Sequence, residues 1–310
     1  MNKMFAALLT TLLFATSAVC GYRVSKRVGG IEANFWRLTV ALFFLTLWAG
    51  FFGKGFAGAP GWFMLSGLLG IGLGDTAYFQ ALPRLGSRRT ILLCQCLTAP
   101  FAALIEFFWL GNQLNLAEIL CVGVILGGVA IALKPDDHLK ISRRDWQIGI
   151  LGSVISAVGA AFGAVLIRTA FMVAHENGFD PDAGTTGYQR VLGGILIPTF
   201  ALLLFKWRSA HEHGGLFEAK TRHVFRAKWA TLWPWVLANA LAGQTLGVTC
   251  MQWALQTTQA GIVTAIIATT PIFLLPMTRI VEKEKIGLHS IIGALIAVGG
   301  VIGLTFLRIK

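Results

Sequence analysis

Four ionisable side chains stand inside stretches that are otherwise apolar. Asp75 falls in GIGLGDTAYFQAL, Glu106 in PFAALIEFFWL, Arg37 in NFWRLTV and Arg190 in YQRVLGG. A charged group in hydrocarbon is costly, so where one occurs it pairs, faces water, or meets a substrate or proton. With the runs read as helices rising 1.5 Å per residue, Arg37 and Asp75 lie on one side of the bilayer centre, within an arginine's reach. Arg190 and Glu106 each lie about 9 Å from the centre on the other side. The spacing predicts two ion pairs, Arg37–Asp75 and Arg190–Glu106, as inner and outer polar gates. An unpaired buried charge costs several kcal/mol, which favours a partner for each. The competing expectation is that both arginines snorkel to headgroups, a route closed to the short Asp75.

Neutral polar residues extend the candidate pathway. Tyr78 is one turn from Asp75, while Gln95, Ala99, Ala102 and Glu106 follow one face of a single helix. Asn239 and Gln244 belong to the eighth apolar run. Singly, each is more often a satisfied interhelical hydrogen bond; together they form a candidate substrate and ion pathway. Other chemistries find little support. All six histidines lie in loops or at helix ends, so no catalytic cluster forms and no enzyme is expected. The HEH run at 211–213 reads as solvated rather than as a metal site. Cys94 and Cys96 point about 200° apart on a helix, which suits neither a metal nor a disulfide. No nucleotide-binding loop occurs, and no cofactor is implied.

These residues must be positioned by membrane-spanning helices. Of 310 residues, 55% are hydrophobic and only 13% charged, against about 25% charged in a soluble domain. Ten apolar runs approach the ~20 residues that cross a bilayer. They are expected at about 4–22, 33–52, 61–82, 89–110, 116–133, 147–173, 187–205, 233–255, 259–281 and 286–307. The first could pass for a signal peptide, but Arg23, Lys26 and Arg27 follow it, so it reads as a retained helix. A polar linker (134–146) separates the halves, and a long polar loop from Lys206 to Lys228 leads into the eighth run.

The halves echo one another. Pro100 is answered by Pro271 and Gly127-Gly128 by Gly299-Gly300, while Arg37 is answered by Arg190. The chain thus divides into repeats 1–133 and 147–310. Pro100 and Pro271 are each expected to kink a helix at its middle. Pairs such as Gly70/Gly74, Gly123/Gly127, Gly159/Gly163, Gly243/Gly247 and Gly299/Gly303 are expected to bring helices close together.

The run GDTAYFQAL, the repeated arginine, and P…EKEKIGLHSIIGALIAVGGV resemble the EamA domain of the drug/metabolite transporter superfamily over nearly the whole chain. The resemblance implies an all-α polytopic carrier of ten transmembrane helices in two inverted five-helix repeats. It also implies alternating access around a central cavity, with helices five and ten at the periphery. Relatives commonly carry Glu after helices four and nine. Glu284 fits, but the first half offers Asn112-Gln113, so that carboxylate is asymmetric and no transport role is assigned to it.

Nearly all loop arginines and lysines follow odd-numbered helices, against Lys3, Lys54, Arg308 and Lys310 on the other side. Positive loops stay cytoplasmic, which predicts both termini outside the cell membrane. The net charge of +12 therefore serves lipid headgroups rather than nucleic acid. The expected partners are the bilayer and a small polar, amino-acid-like solute that is exported, with the chain a monomer or weak homodimer. The alternatives are a membrane-embedded lipid-handling protein or enzyme, and a sensor or scaffold.

Overall fold

The computed structural model describes residues 3–110, 115–133, 141–212, 219–255, 263, 266–283 and 287–309. Among these the chain is helical, without strands, and forms ten rods numbered here in chain order. α1 (Lys3–Val28) and α2 (Gly30–Phe51) are joined by Gly29 alone. α3 has three parts: Pro60–Gly67, a wide π-type stretch Leu68–Asp75, and Thr76–Leu85. α4 (Ser87–Leu110) follows Gly86, and α5 is Leu116–Ala132. α6 is Arg143–Glu176, and α7 comprises Ala183–Gly194 and Leu196–Glu212. α8 repeats the three-part build with Ala219–Ala240, a π-type stretch Leu241–Thr245, and Leu246–Leu255. α9 (Thr270–Val281) and α10 (Leu288–Ile309) complete the set.

Gly29 and Gly86 sit at φ 87° and 84°. Residues with a Cβ avoid that region, so glycine lets each helix pair turn back on a single residue.

Several boundaries differ from those expected. Most of Lys206–Lys228 is helical: α7 continues to Glu212 and α8 starts at Ala219. The segments KWRSAHE and AKTRHVFRAKWA hold good helix formers and neither Gly nor Pro, so the rods continue beyond the apolar layer. The linker ends earlier than expected, because Ser142 caps α6 by accepting the Asp145 N–H at 3.0 Å. The paired prolines also part ways. Pro100 lies inside α4, but Pro271 sits in the first turn of α9 after a break at Ala268–Thr269. Proline costs nothing there, since that N–H has no intrahelical acceptor.

Close helix contacts run along glycine. A methyl group at Gly159 would lie 2.9 Å from the Gly74 Cα, and one at Gly163 would lie 3.0 Å from the Gly70 Cα. These two pairs therefore lock α3 to α6. A methyl at Gly67 would strike the Arg190 carbonyl and one at Gly193 the Met64 carbonyl, which fixes α3 to α7 as closely. α5 and α10 pair at the bundle's edge through Gly128, Gly293 and Gly300. Gly123, Gly127 and Gly299, expected to pack, meet open space instead, because the packed stripe runs one residue over, through Gly128 and Gly300. Phe43, Leu120, Leu151, Phe200 and Leu203 are each at least 60% exposed, so the bundle's outer surface is apolar.

The two ends of the bundle differ. At one, Arg23 donates to the Val281 carbonyl (3.4 Å), Arg84 meets Asp145 (3.5 Å) and Ser87 donates to Glu282. At the other, the Lys54 N–H donates to Thr185 Oγ1 (3.0 Å) and Gln189 donates to the Gly55 carbonyl (2.8 Å). α1 thus ends at the end where α6 begins. Trp36 meets Trp229 and Trp233 edge-on at 5.5 and 5.4 Å near that first end, and those two rings tilt against each other at 5.7 Å, suited to a membrane–water boundary.

Candidate transport site

Because α2 starts at Gly30 rather than near residue 33, Arg37 lies about two turns inside it. Asn34, one turn earlier on the same face, accepts from Arg37 Nη2 at 2.9 Å. The same nitrogen donates to Asp75 Oδ2 at 2.6 Å. Asp75 closes the wide stretch of α3. Its Oδ2 also accepts from Gln244 Nε2 at 2.7 Å, and Gln244 lies in the wide stretch of α8. One oxygen atom therefore joins the two π-type segments. Such segments recur at functional sites, where they re-aim side chains without ending a helix.

The surroundings support this contact. Phe79, one turn past Asp75, lies under the Arg37 guanidinium at 4.8 Å. Asn34 Nδ2 donates to Thr76 Oγ1 at 3.2 Å. Ser17 of α1 donates to Asn239 Oδ1 of α8 at 2.7 Å. Gly243 leaves room for both Ser17 and Arg37: a methyl there would lie 2.6 Å from Ser17 Oγ and 3.5 Å from Arg37 Nη1. The Arg37 side chain is 6% exposed and that of Asp75 is 25% exposed. The ion pair is thus buried on the arginine side and partly open on the carboxylate side. Asp75 Oδ1 accepts no hydrogen bond among the described residues.

Arg190 is placed differently. α7 starts at Ala183, capped by Asp182, so Arg190 too lies about two turns deep. It is buried, and its Nη2 lies 3.7 Å from where a Gly70 methyl would stand. Its Nε has no hydrogen-bond partner, and it makes no ion pair among the described residues. Of the two expected gates, Arg37–Asp75 is present as a pair, while Arg190–Glu106 falls outside the described residues because the Glu106 side chain does. Neither arginine snorkels, since both are buried.

The remaining candidates divide. Asn239 and Gln244 join the cluster as described. Tyr78 packs with Ala15, Ala18, Val19, Ile91 and Leu274 and meets the Phe79 ring at 5.4 Å. Gln95 is half-buried, one turn beyond Ile91 on α4, with no hydrogen bond among the described residues. Asn112, Gln113, His213 and Glu284 lie outside the described residues. Near Glu284, Glu282 is described, and it accepts from Ser87 at the start of α4.

Sequence reasoning missed Ser17, Asn34 and Thr76, and also a buried contact in which Thr186 donates to Gln252. Helical spacing from Arg37 could have flagged Asn34; nothing marks Gln252. Asp182 positions α7. Burial pushes its carboxyl up, but hydrogen bonds from the Thr185 hydroxyl and N–H, the Trp48 indole and the Gly184 N–H outweigh this and hold it below its ordinary range.

The profile of the EamA-like transporter family matches residues 1–134 and again 147–306. The chain belongs to this family. It is therefore a multi-pass membrane protein of a transporter family, as its apolar rods also require. A solved structure described only as "Crystal structure of protein" resembles this EamA-like chain with a TM-score of 0.63 at 16% identity. That match covers 100% of both chains and speaks for the fold. No curated protein matches the sequence significantly.

Proposed function

We propose that this EamA-like protein is a secondary carrier that exports a small polar, amino-acid-like metabolite across the plasma membrane by alternating access. The observation that carries the reading is Asp75, a partly open carboxylate held among apolar helices between Arg37 of α2 and Gln244 of α8. A purely structural bundle would avoid that cost with an apolar side chain. On this reading residues 1–133 and 147–310 are inverted five-helix repeats joined by the linker 134–146, and they rock about the junction where the two wide stretches meet. Arg37, Asp75, Tyr78, Gln95, Glu106, Arg190, Asn239 and Gln244 line the pathway, and the basic loops put both termini outside. The carrier works without cofactor or nucleic acid, as a monomer or weak homodimer.

The test is uptake and efflux of a radiolabelled metabolite panel in reconstituted vesicles, with and without a pH gradient. Wild type moves at least one polar solute, and Asp75→Asn lowers that flux at least tenfold. Equal flux in both proteins would remove Asp75 from the mechanism. Movement of labelled phospholipid with no solute flux would favour a lipid-handling protein instead.

A further inference from the structure

Resting on the carrier reading, we infer that the transported solute bears an anionic group and that Arg190 is the side chain that receives it. Arg190 is only 7% exposed, and its Nε is without a hydrogen bond. Asp75 is the described carboxylate whose field reaches it, but the Oδ2 of Asp75 is already bonded to Arg37 and Gln244. Among the described side chains, Arg37 and Asp75 neutralise each other and the buried Arg190 has no counter-charge in contact. Burying a guanidinium without a counter-charge is expensive, and a carrier recovers that cost only when its solute supplies the charge.

The geometry around Arg190 suits such a group. The guanidinium lies beside Gly70, at the glycine contact where α3 meets α6. Thr186, one turn before Arg190 on α7, donates to Gln252 of α8, whose buried Nε2 has no acceptor among the described residues, and Gln189 has a buried Oε1 without a donor. The planar fork of arginine matches the two oxygens of a carboxylate or the oxygens of a phosphate better than a point charge does. Through its Thr186 contact Gln252 Nε2 is a further buried donor about one turn from Arg190, whereas Gln189 is turned about 100° away and donates to the Gly55 and Ala57 carbonyls.

The experiment measures binding to the purified full-length protein by thermal shift and by titration, with matched probes: leucine and leucinamide, succinate and succinamide, phosphoserine and serine. At least one acid binds wild type while the partner lacking that anionic group binds at least tenfold more weakly. The phosphoserine arm separates phosphate from carboxylate recognition. Arg190→Gln weakens the acid about tenfold or more, the loss expected for a charge-assisted hydrogen bond. Arg190→Lys weakens it less, and Arg279→Gln, which neutralises an exposed arginine in the last turn of α9, leaves it unchanged.

The inference is overturned if the amide binds as tightly as its acid, if Arg190→Gln keeps wild-type affinity, or if no acid binds. Should Arg190→Gln fail to elute as monodisperse protein, the acid-to-amide preference of Arg190→Lys against wild type decides. Intact acid binding with no vesicle flux would sink the carrier reading, and with it the anionic solute as cargo, and leave Arg190 as an anion-binding side chain.

Discussion

Arg37 and Arg190 hold matching places in the two halves, each about two turns into its helix, yet they have different surroundings. Arg37 is enclosed by Asn34, Asp75 and the Phe79 ring. Arg190 faces Gly70 on an interface built from glycines and has no ion-pair partner among the described residues, while the Nε of both arginines is unbonded. The same residue type therefore has opposite energetic meaning. A guanidinium that meets its carboxylate inside the fold holds helices together, whereas one without a counter-charge among the described residues is, on the inference above, suited to a ligand that brings one.

The sharpest way to break this comparison is to truncate the charges. Asp75→Leu strands Arg37 and is expected to destabilise the fold by about 3–5 kcal/mol, read as a lowered thermal midpoint. Arg190→Gln breaks no ion pair among the described residues and should leave the midpoint equal or raised; equal losses in the two variants would end the contrast. Gln244→Leu removes a hydrogen bond to the same carboxylate and should cost about 1.5–3 kcal/mol. Gly67→Ala drives a methyl into the Arg190 carbonyl and should cost about 1–3 kcal/mol. Gly123→Ala, open on the α5 surface, should be neutral or stabilising by about 0.5–1 kcal/mol. Asp182→Ala removes the α7 cap at about 1 kcal/mol. Because the folded carboxyl titrates below its ordinary range, near pH 3.9, its contribution is complete above that range and is lost as pH falls through the folded value. The midpoint difference between wild type and Asp182→Ala should therefore shrink below about pH 4.

Much of the bundle was legible in the sequence, because apolar runs of spanning length have few other fates. The Arg37–Asp75 pair was legible too, since helical rise alone gives both depths. The role of Gln244 was only half legible. It belonged to the candidate set, but a wide stretch turns the side chains after it by an amount that a regular 3.6-residue period does not anticipate. Arg190 was set too shallow because the start of α7 was read at residue 187. The cap at Asp182, followed by Thr185, marks the true start, and the added turn carries Arg190 inward, away from the headgroups. The prolines misled for a related reason. A repeat preserves position in the chain, but Pro271 starts a helix where Pro100 interrupts one.

The wide stretches of α3 and α8 carry one more consequence. A turn that holds a surplus residue can migrate along its rod by exchanging main-chain acceptors one at a time, and each one-residue step swivels the intervening side chains by about 100°. In hydrocarbon, where a broken backbone bond finds no water to replace it, such a ratchet would, on the proposed carrier reading, let Asp75 and Gln244 disengage and re-aim while both rods remain continuous.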